Sequence, residues 1–102
     1  MFDIFLYRSP RLILQKYLEK QKNSDHRGIN KKTATALGIF PSYLSLILNG
    51  SRFLNLDQGI LLADFMKLNK KERRYLFRII ELERAQTNKL KKEINEELDE
   101  ML

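Results

Sequence analysis

Residues 33–50 read Thr33-Ala-Thr-Ala-Leu-Gly-Ile-Phe-Pro-Ser-Tyr-Leu-Ser-Leu-Ile-Leu-Asn-Gly50, and this stretch decides the fold. Gly38 ends one short helix, because glycine adopts the left-handed conformation of a helix end at little steric cost. Pro41 begins a second helix, where the missing proline N–H is not needed, and Asn49-Gly50 closes it. The spacing therefore predicts two helices joined by a tight turn, which is the pattern of a helix-turn-helix.

Composition narrows the class of protein. The chain has 102 residues, 43% of them hydrophobic, which is enough for one small domain with a single modest core. No cysteine is present, so disulfides, thiolate metal sites and cysteine nucleophiles are excluded. The sequence shows no signal peptide and no run of the roughly 18 apolar residues that a membrane span needs. We therefore expect a soluble, cytoplasmic protein without a membrane partner.

The charge is distributed unevenly along the chain. Residues 1–92 contain all 19 Lys and Arg and eight of the 13 acidic residues, a net charge of +11, whereas residues 93–102 contain the other five acids and no base. A basic body attracts polyanions, of which nucleic acid comes first and an anionic membrane second. Taken by itself, this basicity is equally compatible with a solvated surface. Together with a helix-turn-helix pattern it favours nucleic acid.

Hydrophobic periodicity predicts an all-α protein: a compact five-helix domain over residues 1–85 and an additional C-terminal helix within 86–102. In chain order, we expect an arm over 1–7 that docks on the core, and then a first helix from Ser9-Pro10 to about residue 20, with Arg11 and Gln15 on its solvent side. A polar surface loop over 21–28 is followed by two helices, over about 30–37 and 41–49. The fourth helix is capped by Asn55, the fifth is capped by Asn69 and ends near residue 85, and a break at 86–88 precedes the last helix over 89–102.

Two of these helices raise specific expectations. The fourth helix is apolar around most of its circumference, so we expect it to be buried on most sides and to form the centre of the core. Gly59 within it indicates either a close helix crossing or a tolerated defect, and we favour the crossing. The last helix carries an apolar stripe that must be covered by the same chain, by a second copy in a dimer, or by further sequence beyond this chain.

Several segments, in order and at the expected spacing, resemble the lambda-repressor-like (Xre-type) helix-turn-helix domain. They are Asn30-Lys-Lys-Thr-Ala34, Leu37-Gly38-Ile39, Pro41-Ser-Tyr-Leu-Ser45, Asn49-Gly50, Arg52, Leu54, Leu62-Ala63 and Leu68. In addition, Ile4-Phe5-x-Tyr7 and Leu68-Asn-Lys-Lys-Glu72 are similar to a bacterial family of predicted transcriptional regulators, in which such a domain precedes a longer C-terminal region. The resemblance implies a lambda-repressor-like DNA-binding domain, and it leaves open that the chain is the N-terminal part of a longer protein.

Three positions depart from that family's pattern. Thr33 stands where a core Leu is usual, Ile29 where a capping Ser or Thr is common, and Phe40 where a Ser or Thr usually caps the recognition helix. These differences should weaken local helix stability without changing the fold. The residues that stand where well-studied relatives often carry Gln or other base-reading side chains are Pro41, Ser42 and Leu46.

In a helix-turn-helix, the second helix enters the major groove by its N-terminal part, and the first lies across the phosphate backbone. The resulting candidates for base contact are Ser42, Tyr43, Ser45, Leu46 and Asn49. The candidates for phosphate contact, at the start of helix two and after helix three, are Asn30, Lys31, Lys32 and Arg52. A second basic cluster, which we interpret as an ordinary solvated helix face, consists of Lys70, Lys71, Arg73 and Arg74.

The sequence gives no support for an enzyme. His26 has no cysteine and no cluster of carboxylates beside it, and Ser24-Asp25-His26 is adjacent in sequence, which is not how a catalytic triad is assembled. The four glycines are scattered and form no phosphate-cradling loop. The acidic residues near the C terminus are interpreted as a solvated face. We expect no catalytic residue, metal, cofactor or small-molecule ligand.

The interpretation from sequence is therefore a DNA-binding transcriptional regulator, or its N-terminal domain, associated with the nucleoid and bound to double-stranded DNA. One module reads few base pairs, so a homodimer on a palindromic operator is the usual arrangement. The alternative is a protein-interaction module with a partner surface of Tyr43, Leu46 and Leu48, which would be favoured by exposure of these side chains without a positive rim. Binding of the basic helices to an anionic membrane is a third and weaker alternative.

Overall fold

The structure is a computed structural model that describes residues 2–24 and 28–102, and within those ranges it contains helices and no strand. A 3-10 turn over Ile4–Leu6 is followed by α1 (Pro10–Asn23), α2 (Ile29–Leu37), α3 (Pro41–Leu48), α4 (Leu56–Phe65), α5 (Lys70–Arg84) and α6 (Asn88–Glu100). The prediction of an all-α chain is confirmed for the described residues.

Side-chain caps place most helix starts where the sequence predicted them. Ser9 accepts a hydrogen bond at the start of α1, and Thr87 does the same at the start of α6. Asn55 and Asn69 each form a reciprocal capping box with the residue three positions later. Each of these bonds satisfies a backbone N–H that has no partner inside its helix. The predicted starts of α4 and α5 are confirmed, and the predicted break over 86–88 is confirmed for residues 86–87, since α6 begins at Asn88, one residue earlier than expected.

The loop predicted over residues 21–28 begins later than expected. α1 extends to Asn23, because Gln and Lys are good helix formers and two lysines of its last turn, Lys20 and Lys22, are favoured at the negative end of the helix. The loop prediction is therefore wrong for residues 21–23. The expectation for His26 falls outside the described residues and stays a prediction.

The turn between α2 and α3 has the sharp geometry expected at Gly38. Gly38 has a φ of +70°. Its N–H donates to the carbonyl of Thr35 at 3.1 Å, and the N–H of Ile39 donates to the carbonyl of Ala34 at 3.0 Å. These two bonds form a Schellman motif, which requires a residue in the left-handed conformation. The glycine therefore both satisfies the last carbonyls of α2 and redirects the chain into α3.

The centre of the core is α5, which packs against α1, α4, α6 and the 3-10 turn. Its buried residues are Tyr75, Leu76, Ile79 and Ile80. In contrast, α4 packs against α2 and α5 with one side, which consists of Gly59, Leu62 and Ala63. The side chains of α4 that remain 45%, 46% and 42% exposed are Leu56, Ile60 and Leu61. The expectation that α4 is buried on most sides is wrong, because its neighbouring helices cover one side of it.

The close crossing expected at Gly59 lies between α4 and α5. A Cβ atom at position 59 would be 2.5 Å from Cδ1 of Ile80, which is well inside the separation of about 3.5–4.0 Å at which carbon atoms pack favourably. Glycine at this position therefore allows the backbone of α4 to approach the side chains of α5. The interpretation of Gly59 as a tolerated defect is not needed.

The N-terminal arm docks on α5, as predicted. Ile4 is completely buried. The ring centroids of Phe5 and Tyr75 are 4.9 Å apart in an edge-on arrangement, which is favourable for aromatic pairs. The hydroxyl of Tyr75 also donates to the carbonyl of Tyr7 at 2.7 Å. The arm is therefore part of the core of this chain and contributes to its stability.

The apolar stripe of α6 is covered in part by α5 of the same chain, through the buried Ile94 and Leu98, whereas Leu90 and Leu102 remain 46% and 66% exposed. Polar contacts hold the outer side of α6: Arg78 of α5 pairs with Glu97, and Arg8 donates to Asn95 at 3.0 Å and to Asp99 at 2.9 Å. Packing on the same chain is the first of the three options for this stripe. The other two options concern a second copy and further sequence, and they stay predictions.

A strained residue follows α4. Lys67 has a φ of +56°, the only positive φ of a non-glycine residue among the described residues. It occupies the position in a Schellman motif that Gly38 occupies after α2, since the N–H of Leu68 donates to the carbonyl of Ala63. Because glycine adopts this conformation without a Cβ clash, Lys67→Gly should raise the free energy of unfolding by about 0.5–1 kcal/mol. Urea denaturation measures this gain, and Lys67→Ala, which keeps the Cβ, should not show it.

Candidate nucleic-acid interface

α3 has one side in the core and one side open. Leu44 and Ile47 are buried and hold α3 against α1 and α2. Ser42, Ser45 and Asn49 lie on another side of the helix at spacings of three and four, and all three are exposed. The open side of α3 therefore presents two hydroxyl groups and one carboxamide to solvent.

The other two candidates for base contact lie at the edges of this open side. Tyr43 and Leu46 are both half-buried. Tyr43 also packs against the core, as does Leu48. A substitution of Tyr43 therefore changes core packing as well as any surface contact. Of the five predicted residues, Ser42, Ser45 and Asn49 can be altered with little effect on packing.

Two of the exposed side chains are already engaged in local hydrogen bonds. The hydroxyl of Ser45 donates to the carbonyl of Pro41 at 3.2 Å. The carboxamide oxygen of Asn49 accepts a hydrogen bond from the N–H of Ser51 at 2.9 Å. A carbonyl oxygen has two lone pairs, so Asn49 keeps one acceptor position and its two amide donors. That combination is what a bidentate contact with adenine uses.

The C-terminal end of α3 is anchored by α1. The side-chain amide of Gln15 donates to the carbonyl of Leu48 at 2.8 Å, which satisfies one of the free carbonyls at the end of α3. The side chain of Arg11 lies beside Gly50. Gln15 and Arg11 were expected on the solvent side of α1, and their contacts with the end of α3 were not predicted. They join residues more than thirty positions apart, and no local pattern signals them.

The segment around α2 and α3 contains cations and no acids. Residues 28–56 include no Asp and no Glu. Lys31 and Lys32 are exposed in the first turns of α2, where the partial positive charge of the helix N-terminus adds to their own. Arg52 is exposed after α3, and one guanidinium N–H of it donates to the carbonyl of Ser51. The surface is therefore electropositive in a manner that suits an anionic partner.

Asn30, the fourth candidate for phosphate contact, is half-buried. Its carboxamide oxygen is buried and has no hydrogen-bond partner among the described residues. A phosphate oxygen needs a donor, so any contact of this side chain with a phosphate uses the amide nitrogen. Among the four candidates for phosphate contact, Lys31, Lys32 and Arg52 are exposed, whereas Asn30 is half-buried.

Glu83 of α5 is an acidic residue beside this surface. Together with Arg11, Gly50 and Arg52 it lines a small cavity at the end of α3. Burial raises the pKa of the Glu83 carboxyl, and the positive charges of Arg11 and Arg84 partly oppose this rise. The charge of Arg11 is therefore partly balanced within the chain, whereas Arg52 keeps its exposed position.

In the second basic cluster, that of Lys70, Lys71, Arg73 and Arg74, some of the charged side chains make contacts within the chain. Arg73 pairs with Asp64 and also donates to the carbonyl of Leu68, so it is occupied within the chain. The ammonium of Lys71 lies 5.3 Å from the ring centroid of Phe5, a cation–π distance. Lys70, Lys71 and Arg74 border a surface cavity together with Glu100 of α6. Part of this cluster therefore serves internal contacts, and the rest faces an acidic helix end.

One exposed residue beside α3 was not among the predicted contacts. Phe40 precedes α3 as its N-cap residue and is 79% exposed. Its side chain makes no capping hydrogen bond. From the sequence, Phe40 was only a departure from the usual Ser or Thr. The sequence signal that could have identified Phe40 as a candidate contact residue is an aromatic side chain at the N-cap position of α3, where a polar side chain would stabilise the helix.

Within residues 2–24 and 28–102, no helix combines the length and the hydrophobicity needed to span a membrane. Those same residues contain no group of three or more His, Asp or Glu side chains placed to hold a metal ion. Comparison of the chain with protein-family models, with curated proteins and with solved structures found no match. The features of this chain that bear on its function are therefore the geometry and the chemistry of the surface around α3.

Proposed function

We propose that this chain is a lambda-repressor-like DNA-binding domain that acts in transcriptional regulation. The observation that supports this most strongly is the open side of α3, where exposed Ser42, Ser45 and Asn49 lie in a segment without acids. Hydroxyl and carboxamide groups can donate to and accept from base edges in the major groove. The sharp turn at Gly38 and the buried face of α3 support an arrangement of two helices that a groove can accommodate.

In the proposed complex, phosphate contacts and base contacts come from different elements. Lys31 and Lys32 at the start of α2, and Arg52 after α3, bind phosphate oxygens and supply most of the affinity. The N-terminal part of α3 enters the major groove and supplies discrimination between bases. Asn30 adds a phosphate contact through its amide nitrogen. Tyr43 and Leu46 flank the groove-facing side chains.

We also propose that two copies bind one site with two-fold symmetry, because a single module reads few base pairs. The partly exposed apolar side chains Leu56 and Ile60 of α4, and Leu90 of α6, are available for a contact between copies. The alternative of a protein-interaction module would be supported by exposure of Tyr43, Leu46 and Leu48 without a positive rim. All three are half-buried, and so we favour DNA as the partner.

The proposal is tested by fluorescence anisotropy with a labelled random duplex of about 30 base pairs at several salt concentrations. The logarithm of the affinity should fall linearly with the logarithm of the salt concentration, with a slope of about 0.9 per phosphate contact. Replacing Lys31, Lys32 and Arg52 together by Gln should weaken binding by more than about tenfold. The salt slope should also decrease, by an amount that corresponds to the loss of up to about three phosphate contacts.

The matched control replaces Lys70, Lys71 and Arg74 together by Gln, which removes the same charge from α5. This variant should retain most of the affinity and the salt slope, because its residues lie outside the proposed surface. Equal weakening by both triple variants would show that binding depends on net charge alone. Absence of binding at low salt would refute DNA as the partner.

A further inference from the structure

Phe40 is the most exposed large apolar side chain in the described part of the chain. Four other α-helices also begin after an extended N-cap residue, and each of these residues, Ser9, Asn55, Asn69 and Thr87, has a polar side chain that caps the helix. At α3 this position carries a phenyl ring that is 79% exposed and forms no capping bond. The ring therefore adds nothing to the stability of the start of α3.

The backbone at Phe40 is ordinary, so the conformation of the chain does not require this residue. Its φ and ψ are −77° and 152°, which any residue with a side chain adopts. Its carbonyl accepts hydrogen bonds from the N–H groups of Tyr43 and Leu44, and these bonds do not depend on the side chain. A Ser at this position would keep both bonds and add a cap. The phenyl ring is therefore not needed for the local fold and is accessible to a partner outside the chain.

The position of the ring limits what it can contact. Phe40 lies two residues before Ser42, at the end of α3 that enters the major groove in the proposed complex. A phenyl ring neither donates nor accepts conventional hydrogen bonds, so it cannot recognise the polar edges of the bases. The apolar group that B-DNA presents in the major groove is the C5-methyl of thymine, and Phe is one of the residues that contacts it.

We propose that Phe40 is a specificity-determining residue that contacts the C5-methyl group of thymine in the major groove. This inference rests on the proposed function, because it assumes that α3 enters the groove of duplex DNA. The absence of acids over residues 28–56 supports DNA as the occupant, since no carboxylate there repels the phosphates on either side of the groove. Ser42, Ser45 and Asn49 then recognise polar base edges, and Phe40 adds a preference for thymine.

The test uses a duplex enriched by the wild-type chain from a random library of about 30 base pairs. Each thymine of this duplex is replaced in turn by deoxyuridine, which lacks only the C5-methyl group. Dissociation constants are measured for the wild type, Phe40→Ser, Phe40→Leu and the control Phe53→Ser, whose ring is also exposed but follows α3. For the wild type, loss of a contacted methyl should weaken binding about fourfold.

Three results together would support the inference. At the thymine positions where deoxyuridine weakens binding of the wild type, it should have no effect on binding of Phe40→Ser. It should still weaken binding of Phe40→Leu, and it should weaken binding of Phe53→Ser as much as that of the wild type. Phe40→Ser should also melt at a temperature about 4–8 °C higher, because it gains a cap, which separates lost recognition from lost folding.

Two results would overturn it while leaving the proposed function in place: no thymine position is sensitive, or the same positions are equally sensitive in Phe40→Ser. If the library yields no enriched duplex and the chain does not bind DNA at low salt, the proposed function itself fails, and this inference fails with it. The two failures are therefore distinguishable.

Discussion

Ser45→Glu is expected to weaken binding to duplex DNA by about a hundredfold or more. Ser45 is exposed on the open side of α3, and its hydroxyl makes one local hydrogen bond, to the carbonyl of Pro41. A carboxylate there would face the phosphates and the acceptor-rich edges of the groove, and a juxtaposition of like charges costs several kcal/mol. A hundredfold loss corresponds to about 2.8 kcal/mol, which lies within that range.

The folding of this variant should be unaffected, because Glu is a better helix former than Ser. Fluorescence anisotropy with the random duplex measures affinity, and thermal denaturation confirms that the variant is folded. The control is Gln86→Glu, an equal change of charge at an exposed position between α5 and α6. Its affinity should change less than about threefold, since exposed charges beyond a Debye length are largely screened. A similar loss in both variants would exclude α3 as the binding helix.

The second large effect concerns stability. Ile4→Ala should lower the free energy of unfolding by about 3 kcal/mol, within the range of about 2–5 kcal/mol measured for truncation of buried Ile and Leu. Ile4 is completely buried in the 3-10 turn that packs against α5. Its loss leaves a cavity that neighbouring Phe5 fills poorly, because the ring of Phe5 is already placed against Tyr75. Urea denaturation followed by circular dichroism measures the change.

Leu6→Ala provides the matched control for the arm. Leu6 belongs to the same 3-10 turn as Ile4 but is 72% exposed. Its truncation should change the free energy of unfolding by less than about 0.5 kcal/mol. If Ile4→Ala and Leu6→Ala have equally small effects, the arm is not docked on α5 in solution, and the core of the chain begins at α1.

The candidate site was predictable in part. The exposed positions of Ser42, Ser45 and Asn49 follow from helical periodicity, because the buried Leu44 and Ile47 define the opposite side of α3. The anchoring of α3 by Gln15 was not predictable, since it joins two helices that are distant in sequence. The exposure of Phe40 was also unpredicted, since hydrophobicity alone favours burial of a phenyl ring.

The secondary structure was determined largely by the sequence itself, because its signals act over a few residues. The caps at Asn55 and Asn69 bond to the residue three positions later, and the turn at Gly38 depends on its own φ and on bonds within five residues. Such local bonds form wherever the chain is helical, whatever surrounds the helix. They therefore place helix starts and turns correctly from the sequence.

Burial was decided only by the tertiary structure. α4 and α5 both carry enough apolar residues to form the centre of a core, yet α5 takes that place because more elements pack around it. Leu56, Ile60 and Leu61 of α4 remain partly exposed, since no other described helix covers them. How many neighbours surround a helix depends on the path of the whole chain, and periodicity within one helix does not contain that information.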